Sequence, residues 1–325
     1  MSAAARSMFA HRYRDFDRLF PIFQNTGIVR RQAVRPMDWY LDPKGWPERT
    51  SAYLQGAVDL FCDAAGKALE RAGVGAGEVD TVVTVSSTGI ATPSLEARAM
   101  KRMGFREDVS RVPVFGLGCA GGVSGLSIAA RLAEARPGSL VLFVAVELCT
   151  LSFRLDELTS ANMVATALFG DGAAACLVTT SQTGLARIEG AGEHTWPDTL
   201  DIMGWNVDPN GFGVIFARSI PPFAEANLRP AVEGILDRMG LAMSDVDRFV
   251  CHPGGAKVID ALEGALDLGQ GALTHEREVL ADHGNMSAPT AIFVLERVLR
   301  HAPPKRMVLT ALGPGFTASC VSLAA

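Results

Sequence analysis

Cys119 lies in Phe115-Gly-Leu-Gly-Cys-Ala-Gly-Gly122, after an extended segment that begins near Arg111 and immediately ahead of an Ala-rich helix. A thiol at the start of a helix meets free backbone N–H groups and the positive end of the dipole, both of which favour the thiolate. Flanking glycines permit a tight turn and close approach of a substrate, so the pattern suits a nucleophile. The plainer reading of the cysteine alone is a small buried residue at a turn. His252 in Val250-Cys-His-Pro-Gly-Gly255 leaves the carboxyl end of an apolar strand, and Asn285 occupies a turn in His283-Gly-Asn-Met-Ser-Ala-Pro289. Brought together, an imidazole would keep the thiolate ionised, and His and Asn N–H donors would stabilise an oxyanion or enolate.

An internal repeat says which elements bring them together. Leu69 to Asp80 aligns without gaps on Leu236 to Asp247, an offset of 167 from 69 to 236. The same offset places Leu140 to Ala145 on Met307 to Leu312 and helix Ala120 to Ala135 on Ser287 to Ala302. Each copy reads helix, β-rich run, Gly-rich turn, helix and continuous apolar strand. Thr81 to Val85, Leu140 to Val146 and Phe249 to Cys251 lack alternation, as expected where helices cover both sheet faces. The predicted fold is α/β, a duplicated α/β/α/β/α layered architecture with halves 1–182 and 183–325 and a junction near Thr180 to Gly184. In such a pseudo-two-fold arrangement the two helix starts face each other, which puts Asn285 beside Cys119. The second copy opens with a strand-like Leu185 to Glu189, whereas none precedes the helical Ser7 to Phe20 region, so the first copy is expected to lack its opening strand.

Composition narrows the function classes. The 325 residues are 48% hydrophobic and 20% charged with 33 glycines, a soluble α/β balance. The longest strongly apolar run, Leu140 to Val146, falls far short of a membrane span, and Met1 to Arg14 is charged where a signal peptide is apolar, which reads as cytoplasmic. A net charge of −5 with no long basic block argues against nucleic acid as partner. Of the six cysteines, the five other than Cys119 (Cys62, Cys149, Cys176, Cys251 and Cys320) read as inert reduced thiols, with no metal-ligand spacing. His11, His194, His275 and His301 sit in polar stretches; His283 ranks second to His252. Asp171 in Gly170-Asp-Gly172 reads as a turn into a buried strand.

With these residues in view the sequence resembles the type III polyketide synthases, the chalcone-synthase-like branch of the thiolase superfamily, closest in character to bacterial alkylpyrone synthases. The resemblance runs from about Phe9 to the C-terminus. It rests on Gly118-Cys-Ala-Gly-Gly122, Ala167-Leu-Phe-Gly-Asp-Gly-Ala-Ala174, His252-Pro-Gly-Gly255, Gly284-Asn-Met-Ser287 and Gly313-Pro-Gly-Phe316. It implies a thiolase-like fold, a homodimer, acyl-CoA and malonyl-CoA as substrates and no cofactor or metal. The family's nucleophile falls on Cys119 and its His and Asn on His252 and Asn285. Pocket positions fall on Phe169, Val214 (in place of a second gatekeeping Phe, widening one wall), Cys149, Ser152, Met203, Trp205, Ser287, Gly313 and Phe316. Cys149 matches the position that opens an acyl tunnel, and Trp205 in place of a small residue shortens the polyketide part. The expected activity is decarboxylative condensation of a fatty acyl starter with malonyl units to an alkyl α-pyrone, an alkylresorcinol ranking next.

The family also begins with a strand upstream of the residue equivalent to Met1. Its lysines for CoA phosphates are not matched: Pro21 and Asn25 stand at their equivalents, with Arg12, Arg14, Arg18 and Lys257 as substitutes. Two alternatives share the pattern. One is a ketoacyl synthase III-like enzyme working on an acyl carrier protein, disfavoured by Pro-Gly-Gly after the His instead of Gln-Ala-Asn. The other is a non-catalytic thiolase-like partner subunit.

Overall fold

The computed structural model describes Arg6, Phe16 and residues 20–181, 184–301 and 303–325. Most of the Ser7 to Phe20 segment, including His11, Arg12, Arg14 and Arg18, and the proposed junction at 182–183 lie outside the described residues. After two single helical turns, Pro21–Gln24 and Met37–Tyr40, the first half runs α1 (Trp46–Ala72), β1 (Thr81–Val85), α2 (Leu95–Met103), β2 (Ser110–Val114), α3 (Gly121–Ala135), β3 (Val141–Leu148), α4 (Ser160–Leu168) and β4 (Asp171–Val178). The second runs β5 (Arg187–Thr195), the hairpin β6 (Met203–Asp208) and β7 (Gly211–Phe216), α5 (Ile220–Arg238), β8 (Arg248–Cys251), α6 (Ala256–Ala265), α7 (Thr274–His283), α8 (Ala288–Arg300), β9 (Arg306–Gly313) and β10 (Thr317–Ala324).

Two four-stranded sheets, ordered β2-β1-β3-β4 and β5-β10-β9-β8, sandwich α3 and α8. Val83, Val141 and Phe143 of the first sheet and Val250, Leu309 and Val321 of the second meet Val123, Leu126, Ala291 and Val294 of those central helices. The outward sides are covered as well. Val82, Leu142 and Val144 pack under Phe61 and Leu69 of α1, and Phe249, Val308 and Cys320 under Leu228 and Ile235 of α5. Both faces of β3 are therefore dry, and all eight of its residues are buried, which is why its sequence shows no alternation. Each large aliphatic residue buried this way contributes about 1.5–3 kcal/mol of transfer free energy. The layered thiolase-like α/β architecture is thus the observed one.

The register refines the repeat. Thr81 lies opposite Val141, and its counterpart Arg248 lies opposite Met307. From 81 to 248 the offset is 167, but from 141 to 307 it is 166, so the central strands superpose one residue away from the expected frame. Cys119 and Asn285 are also separated by 166, which makes Asn285 the direct counterpart of Cys119.

The halves differ at their outer edges. β5 pairs antiparallel with β10, but among the described residues no strand pairs with the corresponding edge of β4. Among the described residues, its first residue is tied there by Asp171 N donating to Gln32 O at 3.0 Å. A groove of about 2260 Å³ follows that edge between α1 and α8.

Candidate active site

Cys119 sits in a single 3-10 turn, Gly118–Ala120, that feeds directly into α3. This turn is braced from the other half by the β9–β10 connection. A Cβ on Gly313 would lie 2.5 Å from Ala120 Cβ, and one on Gly118, whose φ is +47°, would lie 2.7 Å from Pro314 Cδ. Only glycine permits that approach, so Gly313 shapes the turn that carries Cys119.

His252 follows β8 directly, held by its own N–H to Thr310 O at 2.9 Å. Its ring is buried, and neither Nδ1 nor Nε2 has a hydrogen-bond partner among the described residues. Asn285 is clamped by its backbone: its N–H reaches Leu168 O at 2.8 Å, and its carbonyl accepts from Gly170 N at 3.0 Å. Its Oδ1 accepts from Ser287 N at 2.8 Å, its Nδ2 donates to Gly254 O at 3.2 Å, and the Cys119 thiol points at Oδ1 from 4.0 Å. Cys119, His252 and Asn285 line one small apolar cavity of about 20 Å³, continued by Met203, Phe216, Ile220, Val258 and Leu312. The sequence-predicted triad is thereby assembled in one place.

The protonation states depart from expectation. Burial outweighs the helix start and pushes the Cys119 thiol up to about 11, with hydrogen bonds from Ser287 and Asn285 pulling down and the charge of Glu147 pushing up. Burial likewise pushes His252 down to about 4. With the thiol pushed up and the imidazole pushed down, both groups are neutral near pH 7.

The predicted pocket residues divide. Phe169, Val214 and Cys149 share a buried apolar cluster against which Trp205 packs, its ring 6.3 Å from that of Phe169. Val214 pairs with Trp205 across the β6–β7 hairpin. Val214 is itself buried, so the expected widened wall is not open space; the Trp205 ring takes up the room. Ser152 closes the turn after β3, its Oγ donating to Cys149 O at 2.7 Å. Met203 lines the cavity, and Ser287 flanks it at φ +57°. Phe316 is not among the residues that line the cavity: its ring is wholly buried 5.0 Å from Phe223 and 5.7 Å from Trp196, in the core cluster that also holds the cavity-lining Ile220, Leu228 and Leu312. Lys257 is exposed on the first turn of α6, next to the cavity-lining Val258.

His283 points elsewhere, to Gln32 at 3.2 Å and the Phe293 ring. Asp171 is a structural pin, accepting from Thr150 N, Thr150 Oγ1 and Val34 N at 2.6–2.8 Å. All six cysteines are unpaired, and no cluster among the described residues has the makings of a metal site. No described helix is long and apolar enough to cross a membrane.

Sequence reasoning missed the polar shell behind the cavity. Glu147, near the end of β3, is fully buried; its Oε2 accepts from Ser87 N at 2.9 Å and Thr88 Oγ1 at 2.7 Å, and burial pushes its carboxyl up to about 8. The available signal was a lone charge closing the apolar run Val141-Leu-Phe-Val-Ala-Val-Glu147.

Known proteins are similar to this chain over most of its length. Residues 46–182 match the family model of the chalcone and stilbene synthase N-terminal domain, and residues 187–324 that of the C-terminal domain. The 1,3,6,8-tetrahydroxynaphthalene synthase of Streptomyces peucetius subsp. caesius is 38% identical over 92% of this chain and 81% of the relative. The alpha-pyrone synthesis polyketide synthase-like Pks18 of Mycobacterium tuberculosis is 30% identical over 93% and 80%. The crystal structure of the tetrahydroxynaphthalene synthase of Streptomyces coelicolor A3(2), a bacterial type III polyketide synthase, superposes with a TM-score of 0.93 at 28% identity, covering 99% of this chain and 93% of that one. With both halves matched and the site built across them, the chain belongs to the chalcone and stilbene synthase family, the type III polyketide synthases.

Proposed function

We propose that the protein condenses a medium- or long-chain fatty acyl-CoA with malonyl-CoA and releases an alkyl α-pyrone. The carrying observation is that Cys119, His252 and Asn285, from opposite halves, share one apolar cavity whose surroundings supply few other polar groups. In the first step the Cys119 thiol passes its proton to His252, the sulfur attacks the starter carbonyl, and CoA leaves as its thiol with that proton. Malonyl-CoA then loses CO₂, and the electron pair of the breaking C–C bond moves onto the thioester as an enolate. The protonated or neutral His252 N–H and the second N–H of Asn285 Nδ2 face the developing oxygen charge, each such donor being worth about 3 kcal/mol. The enolate carbon attacks the Cys119 thioester and expels the thiolate, giving a β-ketoacyl-CoA that reloads onto Cys119 with loss of CoA thiol; repetition lengthens the chain until an enol oxygen attacks the thioester carbonyl, closing the pyrone and expelling the thiol.

The ≈ 20 Å³ cavity holds roughly one water, so a starter chain enters by displacing side chains, flexible Met203 first among them. Lys257 at the cavity's α6 margin is a candidate for a CoA phosphate. Ile90 and Phe115, 56% and 55% exposed, support a homodimer that covers them. Incubation with acyl-CoAs of graded length plus malonyl-CoA, with mass analysis of products, tests the reading. Pyrones from C8 or longer starters are expected; turnover only with short or aromatic starters, or only with an acyl carrier protein, would exclude it.

A further inference from the structure

Ser87 belongs to neither the triad nor the cavity lining, yet every polar group it has is engaged by something that borders the site. It follows β1 and is 3% exposed. Its Oγ accepts from Gly116 N at 3.1 Å and Gly118 N at 3.2 Å, the latter being the residue before Cys119. Its N–H donates to buried Glu147 at 2.9 Å, and its carbonyl accepts the indole N–H of Trp205 at 2.8 Å. Gly116 and Gly118 both have positive φ, +93° and +47°, so their amides point inward at one acceptor rather than along a strand or helix. Without Oγ, two amides of the nucleophile's turn would lose their partner, and the turn would lose the contact that fixes its geometry.

We propose that Ser87 is a positioning residue for Cys119, and that Trp205 acts on the nucleophile through it. The β6 side chain that packs against Phe169 and Val214 thus also steadies the segment from which the thiol projects, and through it the acyl loading step. Trp205 stacks on Phe212 at 5.6 Å and meets Phe169 edge-on, so a ligand that shifts the indole would move the Ser87 carbonyl with it. The inference rests on Cys119 being the acyl acceptor. It adds that the acceptor's reactivity depends on a hydroxyl remote from the reacting atoms.

The test compares Ser87→Ala, Ser87→Thr, Trp205→Phe and the Ser87→Ala/Trp205→Phe double variant. The readouts are single-turnover acyl loading from acyl-CoA and iodoacetamide alkylation of Cys119, located by peptide mapping. Misplacing a reacting atom by about 1 Å costs on the order of 100-fold. Ser87→Ala should lower the maximal loading rate by roughly that factor with KM changed less than about threefold, and Ser87→Thr should restore most of it. Trp205→Phe, which keeps a ring but deletes the N–H, should slow loading several-fold alone and add nothing in the Ser87→Ala background, as expected of a shared pathway. A wild-type loading rate in Ser87→Ala, a pure KM effect, or additive losses in the double variant would overturn the proposal. If Ser87→Ala does not fold, an undiminished loading rate in Trp205→Phe overturns it. Alkylation needs no CoA substrate, so if the wild type takes no acyl group the polyketide reading fails, while the alkylation ratio still decides the positioning role.

Discussion

The Cys119 thiol points at Asn285 Oδ1 from 4.0 Å across 166 residues of sequence. The two residues are counterparts in a duplicated fold: each lies in the turn that leads into one of the two central helices, and those helices lie side by side between the sheets. Duplication therefore builds the site by bringing two equivalent turns face to face, one carrying a thiol and the other a carboxamide. His252, at the end of β8, joins them from the same half as Asn285.

Asn285→Ala removes an N–H donor from the enolate and leaves Ser287 N and Gly254 O without their side-chain partner. Malonyl-CoA decarboxylation should fall by about 10²–10³-fold, and stability by about 1–3 kcal/mol. Acyl loading should change far less. Stopped-flow loading and CO₂ release on the same preparation separate the two steps; equal losses in both would deny Asn285 a role in the second.

Glu147 gives a pH signature. Its carboxyl is pushed from its usual 4.5 up to about 8, so the native state holds the proton more tightly than the unfolded chain. The associated stability is complete below pH 4.5 and is lost as the pH rises toward 8, at about 1.4 kcal/mol per unit. Glu147→Gln should flatten this dependence: its thermal midpoint relative to wild type should rise between pH 5 and 8. A gap constant with pH would show that Glu147 is ionised throughout.

Much of this was legible in the sequence, and for definite reasons. The 167-residue repeat and the unbroken apolar runs of β1, β3 and β8 specify a doubly covered sheet. The glycines around Cys119, His252 and Asn285 mark turns at strand ends and helix starts. Burial was less legible. The rule that a helix start lowers a thiol's pKa says nothing about desolvation, which here pushes Cys119 the other way. Phe316 sits in a glycine-rich motif beside the site, but its φ of +27° belongs to the β9–β10 turn, and its ring goes into the core. The Ser87 hub was invisible because its partners Gly116, Gly118, Glu147 and Trp205 come from three separated segments.

Gly313→Ala places a methyl 2.5 Å from Ala120 Cβ and 2.7 Å from Leu117 O. Both contacts are in the nucleophile's turn, which has little freedom to yield. A loss of about 1–3 kcal/mol from overpacking is expected, with acyl loading reduced more than 10-fold. Gly184→Ala, whose nearest contact would be 3.6 Å away, is the control and should match wild type in both thermal melting and loading.

Trp205→Ala removes the ring that fills the space beside Val214 and Phe169. Products from one fixed fatty acyl-CoA should shift toward at least one further malonyl extension, read as added mass in chromatography coupled to mass spectrometry. An unchanged product length would place chain-length control elsewhere. The lost link to Ser87 should at the same time slow overall turnover.

The account stands most directly on the acyl-enzyme. Protein incubated with a fatty acyl-CoA in the absence of malonyl-CoA should gain the mass of one acyl group per chain, mapped to Cys119, absent in Cys119→Ala and discharged as pyrone when malonyl-CoA is added. Folded protein that gains no acyl mass from any CoA thioester, or gains it equally in Cys119→Ala, would contradict it.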